Sequence, residues 1–199
     1  MPVLIDLKSA AHQEMIRDGF EPDFPPDALR QLGALPAGGA DATGAVPSPR
    51  DLRGLVWSSI DNPESRDLDQ VEVAELLTTG DIRVLVGIAD VDSLVPAGSP
   101  IDRHAARNTT SVYCGVVTFP MLPEQLSTDR TSLNERADRL AVVIEVVVAP
   151  DGTVRSHDVY RALVHNTAQL DYPGIGAWLE ATGAAPAKVQ SSAPLEQQL

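Results

Sequence analysis

A chain of 199 residues, 43% of them apolar, is long enough for one domain or slightly more with a real core. Its net charge of −13 argues against a simple polyanion binder, because phosphate backbones are held by cationic side chains that displace condensed counterions. Lysine occurs only at Lys8 and Lys188, and no apolar run approaches the ~20 residues that span a bilayer, so no membrane association is expected.

Val3 to Arg17 spaces Leu4, Leu7, Ala11 and Met15 by threes and fours, which predicts an amphipathic helix stopped at Gly19. No basic segment precedes an apolar stretch there, so a secretory signal is not expected. Pro25-Pro26-Asp27 opens a short second helix through Leu35. Ala, Gly, Pro, Ser and Thr then dominate, and 37–50 reads as a linker between a helical segment, 1–36, and an organised domain, 51–199.

Strand signals dominate that domain. Val71 to Leu77 and Ile82 to Ile88 are branched apolar runs around a Thr78-Thr79-Gly80-Asp81 break. Arg139 to Ala149 and Thr153 to Val164 flank Pro150-Asp151-Gly152, a second hairpin signal. Between them, Ser99 to Tyr113 has a Ser cap, a first-turn Pro and a polar helical stretch. A single cysteine, Cys114, cannot form an internal disulfide; a buried structural thiol and a reducing cytoplasm are expected. Asp171 to Ala181 predicts another helix. Ser191-Ser192 before Pro194 predicts a cap and first turn of one more, with the expectation that a longer domain continues beyond it. Strands with inserted helices give an α+β fold of mixed or antiparallel strands.

The most chemical segment runs from Ser59 to Gln70. Asn62-Pro63 favours a turn that returns Asp61 towards Asp67, and Asp67 and Asp69 share one side of an extended chain. Three carboxylates so placed repel one another, and a hard divalent cation relieves that. An acidic surface turn explains the same residues, so on spacing alone both readings stay open. An EF-hand is excluded, because Val71 stands where a third oxygen ligand is needed.

Taken in order, Ile60-Asp61 and Asp67-Leu68-Asp69 are followed by Gly87-Ile88-Ala89-Asp90-Val91 and Gly98-Ser99-Pro100-Ile101-Asp102. Thr110-Ser111-Val112-Tyr113, the run from Phe119 to Ser127, Ser132-Leu133 and Asp151-Gly152 come next. This series resembles the RNase II / RNase R family, over the N-terminal half of its RNB catalytic domain and about residues 51–181. The resemblance implies a partial RNB-type domain and a 3′–5′ exoribonuclease that hydrolyses single-stranded RNA to nucleoside 5′-monophosphates. It implies Asp61, Asp67 and Asp69 as catalytic carboxylates around Mg²⁺ or Mn²⁺, and Tyr113 as the residue that sets the terminal nucleotide. Gln70 stands where family members commonly have a fourth aspartate; its amide oxygen can bind metal but brings no charge. The family's later catalytic arginine and acidic residue belong to the other half of the domain, which implies a second polypeptide or a missing C-terminal half as partner. A catalytically impaired RNB-like module that binds RNA or protein, or one piece of a split exoribonuclease, is the alternative.

Other constellations carry less. His12, His104, His157 and His165 show no zinc-ligand spacing with Cys114. Ser111, His104 and Asp102 have triad residue types without a nucleophile elbow. Asp90 and Asp102 read as structural hydrogen-bonding groups, and Arg103 and Arg107 as a solvated helix face or a phosphate contact.

Overall fold

A computed structural model describes residues 6–36 and 48–199. The start of the first expected helix and most of the expected linker lie outside the described residues. The chain forms two compact units, one from Met1–Ala37 with Asp92–Leu126 and one from Gly38–Val91 with Ser127–Leu199. The N-terminal helices thus share a unit with a segment from the middle of the chain.

In the first unit, α1 (Leu7–Arg17) starts on Asp6, whose carboxylate accepts from the Lys8 and Ser9 amides. The helix α2 (Pro26–Ala34) has its proline at the N-terminal turn, where a missing N–H costs nothing. The helix α3 (Pro100–Asn108) is capped by Ser99 and ends at Thr109, which takes a left-handed φ of 58°. The helical stretch expected through Tyr113 therefore stops at Asn108. Val112 pairs instead with Phe119 in the hairpin β5 (Val112–Cys114) and β6 (Val117–Phe119). The Asn108 side chain ties α3 to Glu21, donating to its carbonyl at 2.9 Å and accepting from its amide at 2.8 Å. Cys114 is half-buried rather than buried as expected.

The second unit is built on β1 (Arg50–Asp51), β2 (Trp57–Asp61), β3 (Gln70–Leu76), β4 (Ile82–Ala89), β7 (Asp138–Val148) and β8 (Val154–Asp171). Both expected hairpins are present, β3 with β4 and β7 with β8. The strand β8 is the organiser: it runs antiparallel to β7 as far as His165, then parallel to β2 from Asn166 to Asp171. Because β7 also pairs with β4, the sheet closes on itself. The switch between partners occurs at a register shift beside Trp57. There the buried Asn166 amide donates to Ser59 Oγ at 3.0 Å and to the Leu133 carbonyl at 2.8 Å.

Inside the closed sheet, Trp57, Leu68, Val71, Leu85 and Val143 form a fully buried core. Gly87 faces it, and a Cβ there would stand 3.1 Å from Val71 and 3.4 Å from the Trp57 ring, so the indole needs a residue without a side chain. At the far end of β8, α4 (Tyr172–Leu179, capped by Asp171), α5 (Ala187–Gln190) and α6 (Ala193–Gln198, capped by Ser192) bury Ile175, Val189 and Leu195 in a second cluster.

Candidate functional site

The acidic segment lies between β2 and β3, and its shape follows from what holds it down. Asp61 ends β2, half-buried. The chain turns at Asn62-Pro63, with the Ser65 amide donating to the Asn62 carbonyl at 3.0 Å. The return is clamped from the neighbouring loop: Ser132 Oγ accepts from the Leu68 amide and bonds the Arg66 carbonyl, both at 3.0 Å. The Leu133 amide donates to the Leu68 carbonyl, and the Ala89 amide reaches the Asp69 carbonyl at 2.9 Å. Leu68 is driven wholly into the core. Asp67 and Asp69 flank it in extended chain, so both are turned outward by the alternation that buries Leu68.

The carboxylates feel one another. Partial burial pushes the Asp69 carboxyl above its ordinary range, and the negative charges of Asp61 and Asp67 push it further; a backbone hydrogen bond opposes both. The two residues after Asp69 that share a face on β3 extend the patch. Gln70 donates its side-chain amide to Glu72 Oε1, which leaves the Gln70 carbonyl oxygen turned away from Glu72. Burial raises the Glu72 carboxyl, the bond from Gln70 opposes that, and the charge of Asp61 adds to the rise. Glu72 Oε2 is buried with no hydrogen-bond partner. Sequence reasoning missed Glu72. Its signal was an acid at a half-buried position of a strand between buried Val71 and Val73.

Among the described residues, no three His, Cys, Asp or Glu side chains are gathered as a ready-made metal cage. The structure thus brings Asp61, Asp67 and Asp69 into one electrostatic patch with Gln70 and Glu72, but does not close them around a common point. Donor type fits a hard cation such as Mg²⁺, which is commonly held by one or two carboxylates together with waters and substrate phosphate.

The remaining candidates separate cleanly. Tyr113 stands on β5 of the first unit, 70% exposed. Asp90 is buried and pairs with Arg161 at 2.8 Å, and Asp102 accepts from the Gly98 amide at 2.7 Å; both are structural groups. Arg103 reaches Asp27 and the Gly98 carbonyl, while Arg107 bonds Glu21, so neither guanidinium is a bare phosphate contact. His104 is buried against Phe24, with ring centroids 4.3 Å apart, and Nδ1 stands 3.7 Å from the Glu21 carboxylate, whose charge opposes the effect of burial. Burial pushes the imidazole towards its neutral form.

The RNB domain family profile matches residues 49–199. Ribonuclease R of Thermotoga maritima is 34% identical over 178 residues, covering 88% of this chain and 24% of that protein. Ribonuclease R of Escherichia coli is 39% identical over 122 residues, covering 61% and 15%. Among solved structures, Mycoplasma genitalium RNase R in complex with double-stranded RNA matches with a TM-score of 0.78 and 26% identity, over 92% of this chain and 33% of that one. The chain therefore spans a third or less of the length of these relatives. The helices and mixed sheet expected of a partial RNB-type fold are those observed. By the extent of that match, the chain belongs to the RNB domain family.

Proposed function

We propose that the complete protein is a 3′–5′ exoribonuclease that hydrolyses single-stranded RNA to nucleoside 5′-monophosphates in the cytoplasm, with Asp61, Asp67 and Asp69 as the catalytic carboxylates. The observation that carries this reading is the clamped loop: Ser132 Oγ holds the Leu68 amide and the Arg66 carbonyl, so that Asp67 and Asp69 flank buried Leu68 and face outward together after Asp61 at the end of β2. The names of the relatives and the double-stranded RNA in the Mycoplasma genitalium structure support RNA as the substrate, and a second structure of that RNase R, 26% identical with a TM-score of 0.78, is a complex with ribose-methylated single-stranded RNA.

Mg²⁺ or Mn²⁺ bound by these carboxylates would supply an activated water and counter-charge for the phosphate. The protein's own part is positional. The clamp on residues 66–69 fixes the direction of Asp67 and Asp69 before substrate arrives. Gln70 offers a neutral oxygen where the family resemblance implies a fourth aspartate, so a second cation is held more weakly. The exposed Tyr113 ring can stack on a terminal base.

The test is labelled single-stranded RNA with the full-length protein and Mg²⁺ or Mn²⁺. Stepwise shortening from the 3′ end is expected, and Asp69→Asn should slow it by roughly 10²–10³-fold while RNA affinity persists. Intact RNA with both metals would sink the assignment. One observation favours a second reading, a catalytically impaired module that binds RNA or protein: the acids are not gathered into a cage. Calorimetric titration separates the two, because that reading predicts retained RNA binding without Mg²⁺ binding.

A further inference from the structure

Between the buried Leu68 and the buried Val71 stand Asp69 and Gln70, and both reach the surface. Strict alternation would turn one of them into the core. The chain instead breaks its period as it enters β3, so Gln70 shares the outer surface with Asp69. From there on the alternation is regular, with Val71 and Val73 inward and Gln70 and Glu72 together on the other face. The direct pair of Ser58 with Glu72 sets β2 antiparallel to β3. Carried on by register, that pairing brings Asp61 level with Asp69, and the charge of Asp61 is felt at both Asp69 and Glu72.

Glu72 is a costly residue for its position. Half-buried, it walls a cavity of about 90 Å³ together with Ser58, Ile60 and Val84. Its Oε2 is buried without a hydrogen-bond partner, a penalty that an apolar side chain would not carry. Its Oε1 accepts from the Gln70 side-chain amide. That bond has a consequence at the other end of the amide. A carboxylate only accepts, so the Gln70 nitrogen must face it; flipped, two acceptor oxygens would meet. With the nitrogen committed farther along the strand, the carbonyl oxygen on the same carbon is left for the loop end, where Asp69 stands.

We infer that Glu72 is a positioning residue that holds the Gln70 amide in one of its two orientations, with the carbonyl oxygen presented to a divalent cation at the acidic patch. This rests on the exoribonuclease reading, in which Asp61, Asp67 and Asp69 hold that cation. An amide oxygen is a fit ligand for a hard cation only while it faces the ion. An amide free to turn over presents its two N–H donors for part of the time, and these repel a cation. Partners that fix the orientation of a ligand commonly change metal affinity by about 10–100-fold. Direct ligation by Glu72 is the rival account, and the two part company once position 70 carries an aspartate, which has no amide to orient.

The experiment is Mn²⁺ titration of the full-length protein without RNA, read from the paramagnetic resonance signal of the free ion. Wild type, Glu72→Gln, Gln70→Asp and the double variant are compared. Glu72→Gln keeps the shape but can donate as well as accept, so it releases the Gln70 amide, and Mn²⁺ affinity should fall about tenfold. In the Gln70→Asp background the same change should cost much less, since only the charge of Glu72 is then lost. The melting temperature of Glu72→Gln should not fall, which separates weaker binding from unfolding. The Gln70 side-chain NH₂ resonances, identified by their absence in Gln70→Asp, should move in Glu72→Gln before any metal is added. Unmoved resonances, an affinity that Glu72→Gln leaves unchanged, or an equal fall in both backgrounds would each overturn the inference alone. A wild type that binds no Mn²⁺ would remove the exoribonuclease reading and this inference with it.

Discussion

Two groups of carboxylates in the second unit have the same chemistry and opposite surroundings. Asp51, Asp138 and Glu145 each meet an arginine: Arg53 bridges Asp51 and Asp138 at 2.7 and 2.9 Å, and Arg83 grips Glu145 at 2.9 Å. Those contacts hold all three carboxyls below their ordinary range, in Asp138 with His165 as the larger cause. Asp69 and Glu72 are pushed the other way, first by burial and also by neighbouring acids. In an acidic chain cations are scarce, and folding has placed Arg53 and Arg83 where they brace β1, β7 and β4. Carboxyls raised at one place and lowered nearby mark where an external cation would do the most.

The largest break in that contrast is Asp69→Asn. If repulsion at this patch serves catalysis, turnover should fall by roughly 10²–10³-fold, the scale for losing a preorganised electrostatic group. The melting temperature should stay level or rise, because a repelling charge has gone. A fall in stability with unchanged turnover would make Asp69 one more structural acid.

Next is Ser132→Ala. Its hydroxyl satisfies the buried Leu68 amide, and an orphaned buried donor costs about 1–3 kcal/mol. Urea unfolding should show that loss, and turnover should drop further than binding of RNA, since Asp67 and Asp69 lose their fixed direction. Equal losses for a remote core substitution of the same cost would deny the clamp any special role. Arg83→Met tests the compensated group. It leaves Glu75 on β3 and Glu145 on β7 without the cation that β4 sets between them, and should cost about 1–2 kcal/mol for these partly exposed pairs. Cleavage by the folded fraction should not change. Altered turnover there would blur the distinction between the two groups.

Much of this was legible from the chain. The hairpin of β3 and β4 announces itself as two branched runs around a turn whose Gly80 takes a φ of 84°. Asp61, Asp67 and Asp69 stand out because a turn and a period-two spacing are local properties. The last stretch of β8 was not legible: the strand expected to end at Val164 runs on to Asp171, past a register shift where the Asn166 amide bonds Ser59 and Leu133. The Ser99 helix was read too long, since nothing in Thr109-Thr110 shows that Val112 will find Phe119. Glu72 escaped for the same reason. Its meaning lies in Asp61 and Gln70 being beside it in space, which no window of sequence reports.

The smallest effect sharpens the comparison through pH. Asp138 is bound by His165 at 2.7 Å and Arg53 at 2.9 Å, and its carboxyl is depressed in the folded state. In the unfolded chain an aspartate titrates near ~3.9. Between those two values the unfolded chain binds more protons, so stability rises with pH there. The contribution of Asp138 is thus complete above the unfolded value and is lost as pH falls through the depressed one. Solvent screens a group this exposed, so the effect on melting is modest. Wild type should exceed Asp138→Asn in melting temperature at pH 6, and the gap should close as pH is lowered below about 4. A gap that persists at pH 2 would assign the difference to the shape of the side chain, and the arginine and histidine around it would then be neighbours without being the source of its stability.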